Sequence, residues 1–250
     1  MRLREIVDYV ESMEKQLVLF NLPDASRIDE RLEDFFETQN VRVRTARTAS
    51  GRPANVAVLS DRDGVRAIVT VDRLRDLVEE GPSGGGLGAA DAAFEPILEP
   101  LKETTFTAYD RTQMLATSRE IEDRARRVGR GTIHAGFQRT SLMARQASIY
   151  RDLSERGLTV HTYGVPDGVV PELGAGTVHT TEADEIAQTW FVVFDGGGNP
   201  TQKSALLAEE RRPGQFYGVW TYDGVIVDRI LDRLETAYSF DPERQSRSRP

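Results

Sequence analysis

Apolar residues recur at helical spacing from the start of the chain. Leu3, Ile6, Val7, Val10 and Met13 share one face, with Arg4, Glu5, Asp8, Glu11 and Ser12 on the other, which predicts an amphipathic helix. The short apolar run QLVLFN (16–21) ends at a Pro-Asp turn and reads as a buried strand. A second helix follows, capped by Ser26 and striped by Ile28, Leu32, Phe35 and Phe36. VRVR (41–44) alternates as a strand does. NVAVLSD and VRAIVTV flank Asp63-Gly64 as the arms of a hairpin, because a DG pair reaches positive φ at little cost. A charged helix over 72–80 closes the series.

GPSGGGLGAADAA comes next, a run of small residues that cannot offset the entropy of packing. It predicts a flexible connection, residues 82–93, between an N-terminal half (1–81) and a C-terminal half (94–238). The second half repeats the order of the first. A long helix capped by Asp110 is striped by Met114, Ser118, Ile121, Ala125 and Val128. GTIHAGFQ is a strand, SLMARQASIYRDLSERG a helix, and LTVHTYG, TWFVVFD and KSALLAEE are strands before the helix VIVDRILDRLE. A shift of 117 residues sets Phe137 on Phe20, Ile149 on Leu32, Leu153 on Phe36 and Val160 on Val43 without a gap. Asn40 and Gly157 then fall together as left-handed helix-ending residues. The expectation is an α/β protein with two similar α-β-α-β-β-β-α halves, each a mixed sheet covered by helices. Equal strand order in the two halves is the condition that this repeat must meet. The polar tail, 239–250, reads as frayed.

A chain of 250 residues can bury a core without staples, and it has no cysteine to make one. That removes thiol nucleophiles, iron–sulfur ligation and redox switching. The net charge of -8 argues against a general nucleic-acid binder, which needs a basic face. Only three of the 32 basic residues are lysines (Lys15, Lys102 and Lys203), a composition that fits a salt-loving organism. No apolar run approaches the ~20 residues of a membrane span. The charged N-terminus lacks the apolar region of a signal peptide, so a cytoplasmic location is expected.

Candidate chemistry concentrates in the second half. Trp190, Phe191, Phe194, Phe216, Tyr217, Trp220 and Tyr222 either fill a core or line a pocket or interface with polar tips. DGGGNP after the strand TWFVV invites a phosphate-loop reading. However, Gln202 stands where the last loop glycine belongs, and a hairpin turn fits better, with Asp195 the residue to test. His134, His161 and His179 lie on or beside strands at spacings that make no metal motif, so no metal site is expected. His134 and Gln138 fall on one strand face, with Gly136 between them allowing close approach. Arginines 124, 126, 127 and 130 complement a helix C-terminus, an anion site being the alternative. No Ser-His-Asp order or G-x-S-x-G elbow is present. Glu209 and Glu210 are adjacent and so face opposite ways. No catalytic residue and no cofactor is specified.

The blocks MLATSREIEDRA, GTIHAGFQRTS, VHTYGVP, TWFVVFDGGG, ALLAEER and FYGVWTYD, in that order, resemble the DICT sensory domain, especially its haloarchaeal form. The resemblance covers residues 94–238. The family is named for its association with diguanylate cyclases and two-component systems. It implies a module that senses a signal or binds a partner, in responses to light or environment, and it implies no catalytic residues. The expectation is therefore a non-enzymatic regulatory protein that binds a small ligand or a signalling protein. Its candidate ligand-binding residues are His134, Phe137, Gln138, Tyr163, Trp190, Asp195, Tyr217, Trp220 and Tyr222. The alternatives are a protein acting on a phosphorylated or nucleotide ligand at Asp195, and a module that forms homodimers through 216–222.

Overall fold

The structure, a computed structural model, describes the chain except residues 14, 24–26, 37–40, 81–102 and 239–250. The 82–93 connection, the frayed tail, the Ser26 cap and Asn40 therefore lie outside the described residues. Two compact units emerge: Tyr9–Phe106, and Met1–Asp8 together with the chain from Thr107 onward.

In the first unit the elements are β1 (Lys15–Phe20), α2 (Ile28–Phe35), β2 (Val41–Ala46), β3 (Val56–Asp61), β4 (Gly64–Thr70) and α3 (Val71–Glu80), after α1 (Leu3–Glu11), whose first residues belong with the second unit. The sheet order is β2-β1-β3-β4, with β1 parallel to β2 and the other pairs antiparallel. Alternation along the strands sends Leu17, Leu19, Val43 and Leu59 into a core with Leu32 and Leu74 of the two helices. The opposite face carries Gln16, Arg42 and Arg44, all exposed. Gly64 takes φ 135° in the expected Asp63-Gly64 turn.

The second unit comprises β5 (Glu103–Tyr109), whose residues up to Phe106 are counted with the first unit, then α4 (Arg111–Val128), β6 (Thr132–Arg139), α5 (Thr140–Ala144), α6 (Ala147–Glu155), β7 (Thr159–Val165), β8 (Thr177–Thr180), α7 (Asp184–Gln188), β9 (Thr189–Phe194), β10 (Ser204–Arg212), β11 (Gln215–Thr221) and α8 (Gly224–Tyr238). Asp110 caps α4 in a reciprocal capping box with Gln113, and Gly129 ends it in the left-handed region. The single helix expected over 141–157 is instead two. Between them the backbone tightens to three-residue bonds, Arg145 N to Leu142 O and Gln146 N to Met143 O. Gly157 takes the left-handed φ expected of it.

The seven strands run β5-β11-β10-β9-β6-β7-β8. Within that order, β7-β6-β9-β10 repeats β2-β1-β3-β4, with one parallel pair and two antiparallel pairs in the same places. The condition set for the repeat is met. The shift is not gapless, however. The buried pair Leu17↔Val43 corresponds to the buried pair Ile133↔Val160, so the shift is 116 at β1 and 117 at β2. Phe20 therefore answers to Gly136 rather than to Phe137, because one added residue turns a strand over.

The second unit differs from the first by addition. Strand β8 extends one edge, and β11 and β5 extend the other. Both faces of its sheet are covered. Phe137 packs edge-on against Tyr150 of α6, and Trp190 Nε1 donates to Ser118 Oγ of α4. On the other face α8 buries Ile226, Val227, Ile230 and Leu234. Strands covered on both sides read as unbroken apolar runs, as TWFVVF does.

Candidate functional site

Covering the second face with α8 leaves a cavity of about 520 Å3, lined by Thr132, His134, His161, Tyr163, Thr177, His179, Leu234, Glu235 and Tyr238. It contains every histidine of the chain. Three neighbouring strands supply them in parallel register: His134 of β6 stands opposite His161 of β7, and Tyr163 of β7 opposite His179 of β8. Parallel strands about 4.8 Å apart hold such rings face to face. His134 stacks on His161 with centroids 4.9 Å apart, and Tyr163 on His179 at 4.6 Å with planes 9° apart. Helix α8 closes the space with Tyr238, which meets Tyr163 edge-on at 5.8 Å.

Gly136 makes this packing possible. A Cβ there would lie 2.2 Å from the ring of Phe191, which is fully buried and packs at 5.6 Å from Tyr163. Tyr238 is positioned from behind. Glu185 of α7 accepts from Tyr238 Oη at 2.9 Å, from Arg233 Nη2 at 2.7 Å and from the backbone N–H of Leu3. One half-buried carboxylate thus ties the N-terminus, α7 and α8 together beside the cavity.

The lining is held electrically neutral except at one point. A hydrogen bond joins His134 Nδ1 to Tyr163 Oη at 2.8 Å, and another joins His161 Nδ1 to His179 Nε2 at 2.9 Å. A bond between two ring nitrogens needs one of them unprotonated, so that pair cannot hold two positive charges. Burial, then the neighbouring imidazoles, push His134 down to about 3. Burial, then His161, bring His179 to about 4, and burial also lowers His161. Burial raises Tyr163, with the negative charge of Glu235 adding to it, and raises Tyr238 to about 12, with help from Glu185. At neutral pH the cavity therefore presents uncharged imidazoles, protonated phenols, two threonine hydroxyls and one carboxylate. His134 Nε2 is shut off from solvent and has no hydrogen-bond partner among the described residues.

Of the nine residues named from sequence, His134 and Tyr163 line this cavity. Phe137 and Trp190 lie on the opposite face, in the core beneath α4 and α6. Gln138 takes φ 62° at a bulge between Gly136 and Arg139, which turns it from the face of His134 toward Glu210 Oε2 at 2.6 Å. Asp195 accepts from Gly197 N at 2.7 Å within the β9–β10 connection, where Gly196, Gly197 and Gly198 all have positive φ. Its carboxylate already occupies a backbone N–H of the kind a phosphate loop offers, and the segment is a turn joining antiparallel strands. Tyr217, Trp220 and Tyr222 belong to β11 and its end. Tyr217 lies under Arg211 at 3.7 Å, and Tyr222 lies under Arg124 at 4.6 Å and beside Trp220.

Sequence reasoning dismissed His161 and His179 and did not reach Thr132, Thr177, Glu235 or Tyr238. A signal was present: each histidine ends a Thr-Ile/Val-His triplet, at 132–134, 159–161 and 177–179. Among the described residues no group of three or more His, Cys, Asp or Glu is arranged to hold a metal ion, and no helix is long and apolar enough to cross a membrane.

No protein of curated function matches the chain. Among solved structures, a polyphosphate kinase from Porphyromonas gingivalis aligns with 93% of this chain and 47% of its own, at 12% identity and a TM-score of 0.35. The chain thus spans about half of that protein, and a likeness this low carries no argument. The family comparison is specific: residues 95–211 match the model described as the sensory domain in diguanylate cyclases and two-component systems. That match takes in β6 to β9, hence all three histidines and Tyr163, and residues 95–211 are similar to a DICT sensory domain.

Proposed function

We propose that this chain is a non-enzymatic sensory module whose C-terminal unit binds a small molecule in the histidine–tyrosine cavity and passes its occupancy to a signalling protein. The observation that carries this reading is the gathering of all three histidines and two tyrosines into one cavity on the family-matched sheet. A pocket of this size, partly apolar and with a few convergent polar groups, is the usual form of a small-ligand site. Nucleophilic catalysis would call for a nucleophile beside a base. The lining holds no serine, cysteine or lysine, and the hydrogen bonds of its imidazoles run to Tyr163 and between His161 and His179.

The test uses the histidines as reporters, because every ring signal comes from the cavity. Histidine-labelled protein is titrated with the fraction of a cell extract below about 1 kDa and followed by ring NMR. A saturable shift of the three rings, lost in Tyr238→Ala, is expected. Rings that stay unmoved at the highest extract concentration, in folded protein, would refute the reading.

A further inference from the structure

Helix α1 does not close its own first turn. Arg2, the residue before it, has no side-chain oxygen with which to accept a backbone N–H. Half of a capping box is still made, because Glu5, at the third helical position, accepts from Arg2 N at 2.9 Å. The N–H of Leu3 is one of the donors that a helix leaves without an internal partner, and Glu185 of α7 takes it. A carboxylate there also meets the positive end of the helix dipole. Further contacts hold Met1–Asp8 within the second unit. Leu3, Ile6 and Val7 are buried, Arg4 pairs with Glu209 at 3.3 Å, and Asp8 pairs with Arg211 at 3.5 Å.

The same carboxylate reaches the cavity. Its Oε2 accepts from Tyr238 Oη at 2.9 Å and from Arg233 Nη2 at 2.7 Å. Arg233 Nε lies 3.3 Å from Oε1, the oxygen that Leu3 uses, and Arg233 and Tyr238 are bonded to each other as well. Burial would raise Glu185, but Arg233, the Leu3 N–H and Tyr238 outweigh it and keep the group ionised at neutral pH. Bonds to an ionised acceptor are the strong kind, so a displacement of Tyr238 Oη is answered by the carboxylate. Tyr238 is the last residue of α8, and its ring meets Tyr163 of the cavity wall edge-on. One side chain is therefore held by the cavity at its ring and by Glu185 at its hydroxyl.

We infer that Glu185 is a positioning residue that couples the cavity to α1: whatever fixes the Tyr238 ring tightens the hold on the Leu3 N–H, and loss of the Tyr238 bond loosens the first turns of α1. This coupling rests on the cavity being a ligand site, and it gives that site an output. Helix α1 ends at Glu11 and β1 begins at Lys15, so the change is carried along the chain into the first unit.

Coupling of this kind is reciprocal, so the full chain is probed from both ends. Tyr238→Phe keeps the ring and removes the donor. Amide exchange at Ile6 and Val7 should then quicken about fivefold or more, with the Thr132–Arg139 strand as protected as before. From the other end, Leu3→Pro removes the N–H at a first helical position, where proline is accepted. Leu3→Ala is its control, since it removes the buried side chain and keeps the N–H. The ring signals of the three histidines should move in Leu3→Pro beyond any change in Leu3→Ala. Unchanged exchange at Ile6 and Val7 in Tyr238→Phe, or ring signals alike in the two Leu3 variants, would overturn the coupling. Quickening of the Thr132–Arg139 amides alongside α1 also overturns it, because that marks a general loss of stability. In the extract titration, a saturable ring shift should be accompanied by slower exchange at Ile6 and Val7. A ring shift with that exchange unaltered sinks the coupling and leaves the cavity a ligand site. Rings unmoved by the extract refute the cavity reading instead, and the variants still decide the coupling.

Discussion

Lowering the pH from 7 to 5 should destabilise the C-terminal unit by an amount that the histidine stack sets. An imidazole that stays neutral in the fold and titrates near 6.5 when unfolded lets the unfolded state bind protons that the folded state refuses. Its folded pKa is depressed, so its cost is absent well above 6.5, grows as pH falls below that value, and levels off below the folded value. With His134 at about 3 and His179 at about 4, both remain neutral in the fold across the whole window from 7 to 5. Each then costs about 2 kcal/mol at pH 5, or about 4 kcal/mol for the two. His161, also lowered, adds in the same direction. The groups facing them are Tyr163, Tyr238 and Glu235, and neither phenol titrates in this range. Asp152, paired with Arg156, and Asp167, bonded by Ser141, are held low and act with the same sign, but only below the ordinary carboxylate range. Glu122, raised by burial, acts with the opposite sign and offsets part of the loss, which makes the comparison with His134→Gln the decisive one. The assay is urea unfolding at pH 7, 6 and 5, read by tryptophan fluorescence. Both tryptophans, Trp190 and Trp220, lie in this unit, so the signal reports it alone. His134→Gln should remove about half of the pH dependence. A loss below about 1 kcal/mol between pH 7 and 5 would mean that the imidazoles accept protons in the fold, and the reasoning would fail.

Three further outcomes are expected. Gly136→Ala drives a Cβ into the buried Phe191 ring, so it should cost about 1–3 kcal/mol; a change within 0.5 kcal/mol in the same urea assay would contradict the packing. Tyr150→Phe removes the hydroxyl that donates to Glu122 Oε1 at 2.6 Å. Because that carboxyl is only 2% exposed and is already raised by burial, stability should fall by about 1–3 kcal/mol, as a melting curve would show. Glu185→Ala releases Arg233 and Tyr238 together, and should shift the histidine ring signals while leaving the Thr132–Arg139 strand protected in hydrogen exchange.

Local pattern carried the first unit almost entirely. The DG turn, the period-two runs and the helix stripes are decided by near neighbours in the chain, and each became the element it predicted. Covered strands were harder, since a run such as TWFVVF is apolar throughout and does not say which side chain faces which layer. The aromatic segment 216–222 was left open between core and a polar-tipped pocket or interface, and its strand β11 lies between β10 and β5. The site resisted because its parts are distant in sequence. Only the placing of β7 between β6 and β8, and a register that sets His134 beside His161, turn three dispersed triplets into one cluster. Tyr238 and Glu235 enter from the last helix, whose side facing the cavity no local pattern specifies. Gln138 was misplaced by a single bulge, which reverses the alternation it was read from.

Strand β8 is four residues long, ends the sheet and is bonded on one side only. It nevertheless carries two of the cavity's residues, Thr177 and His179. Edge strands of this length open locally far more often than strands held on both sides. The outer wall of the cavity is thus its least anchored part, whereas the β6 wall lies deep in the sheet. Anything that touches both walls at once slows the unzipping of the edge, and amide exchange at 177–180 measures that directly. Occupancy of the site is in this sense a kinetic quantity, registered in how long one short strand stays closed.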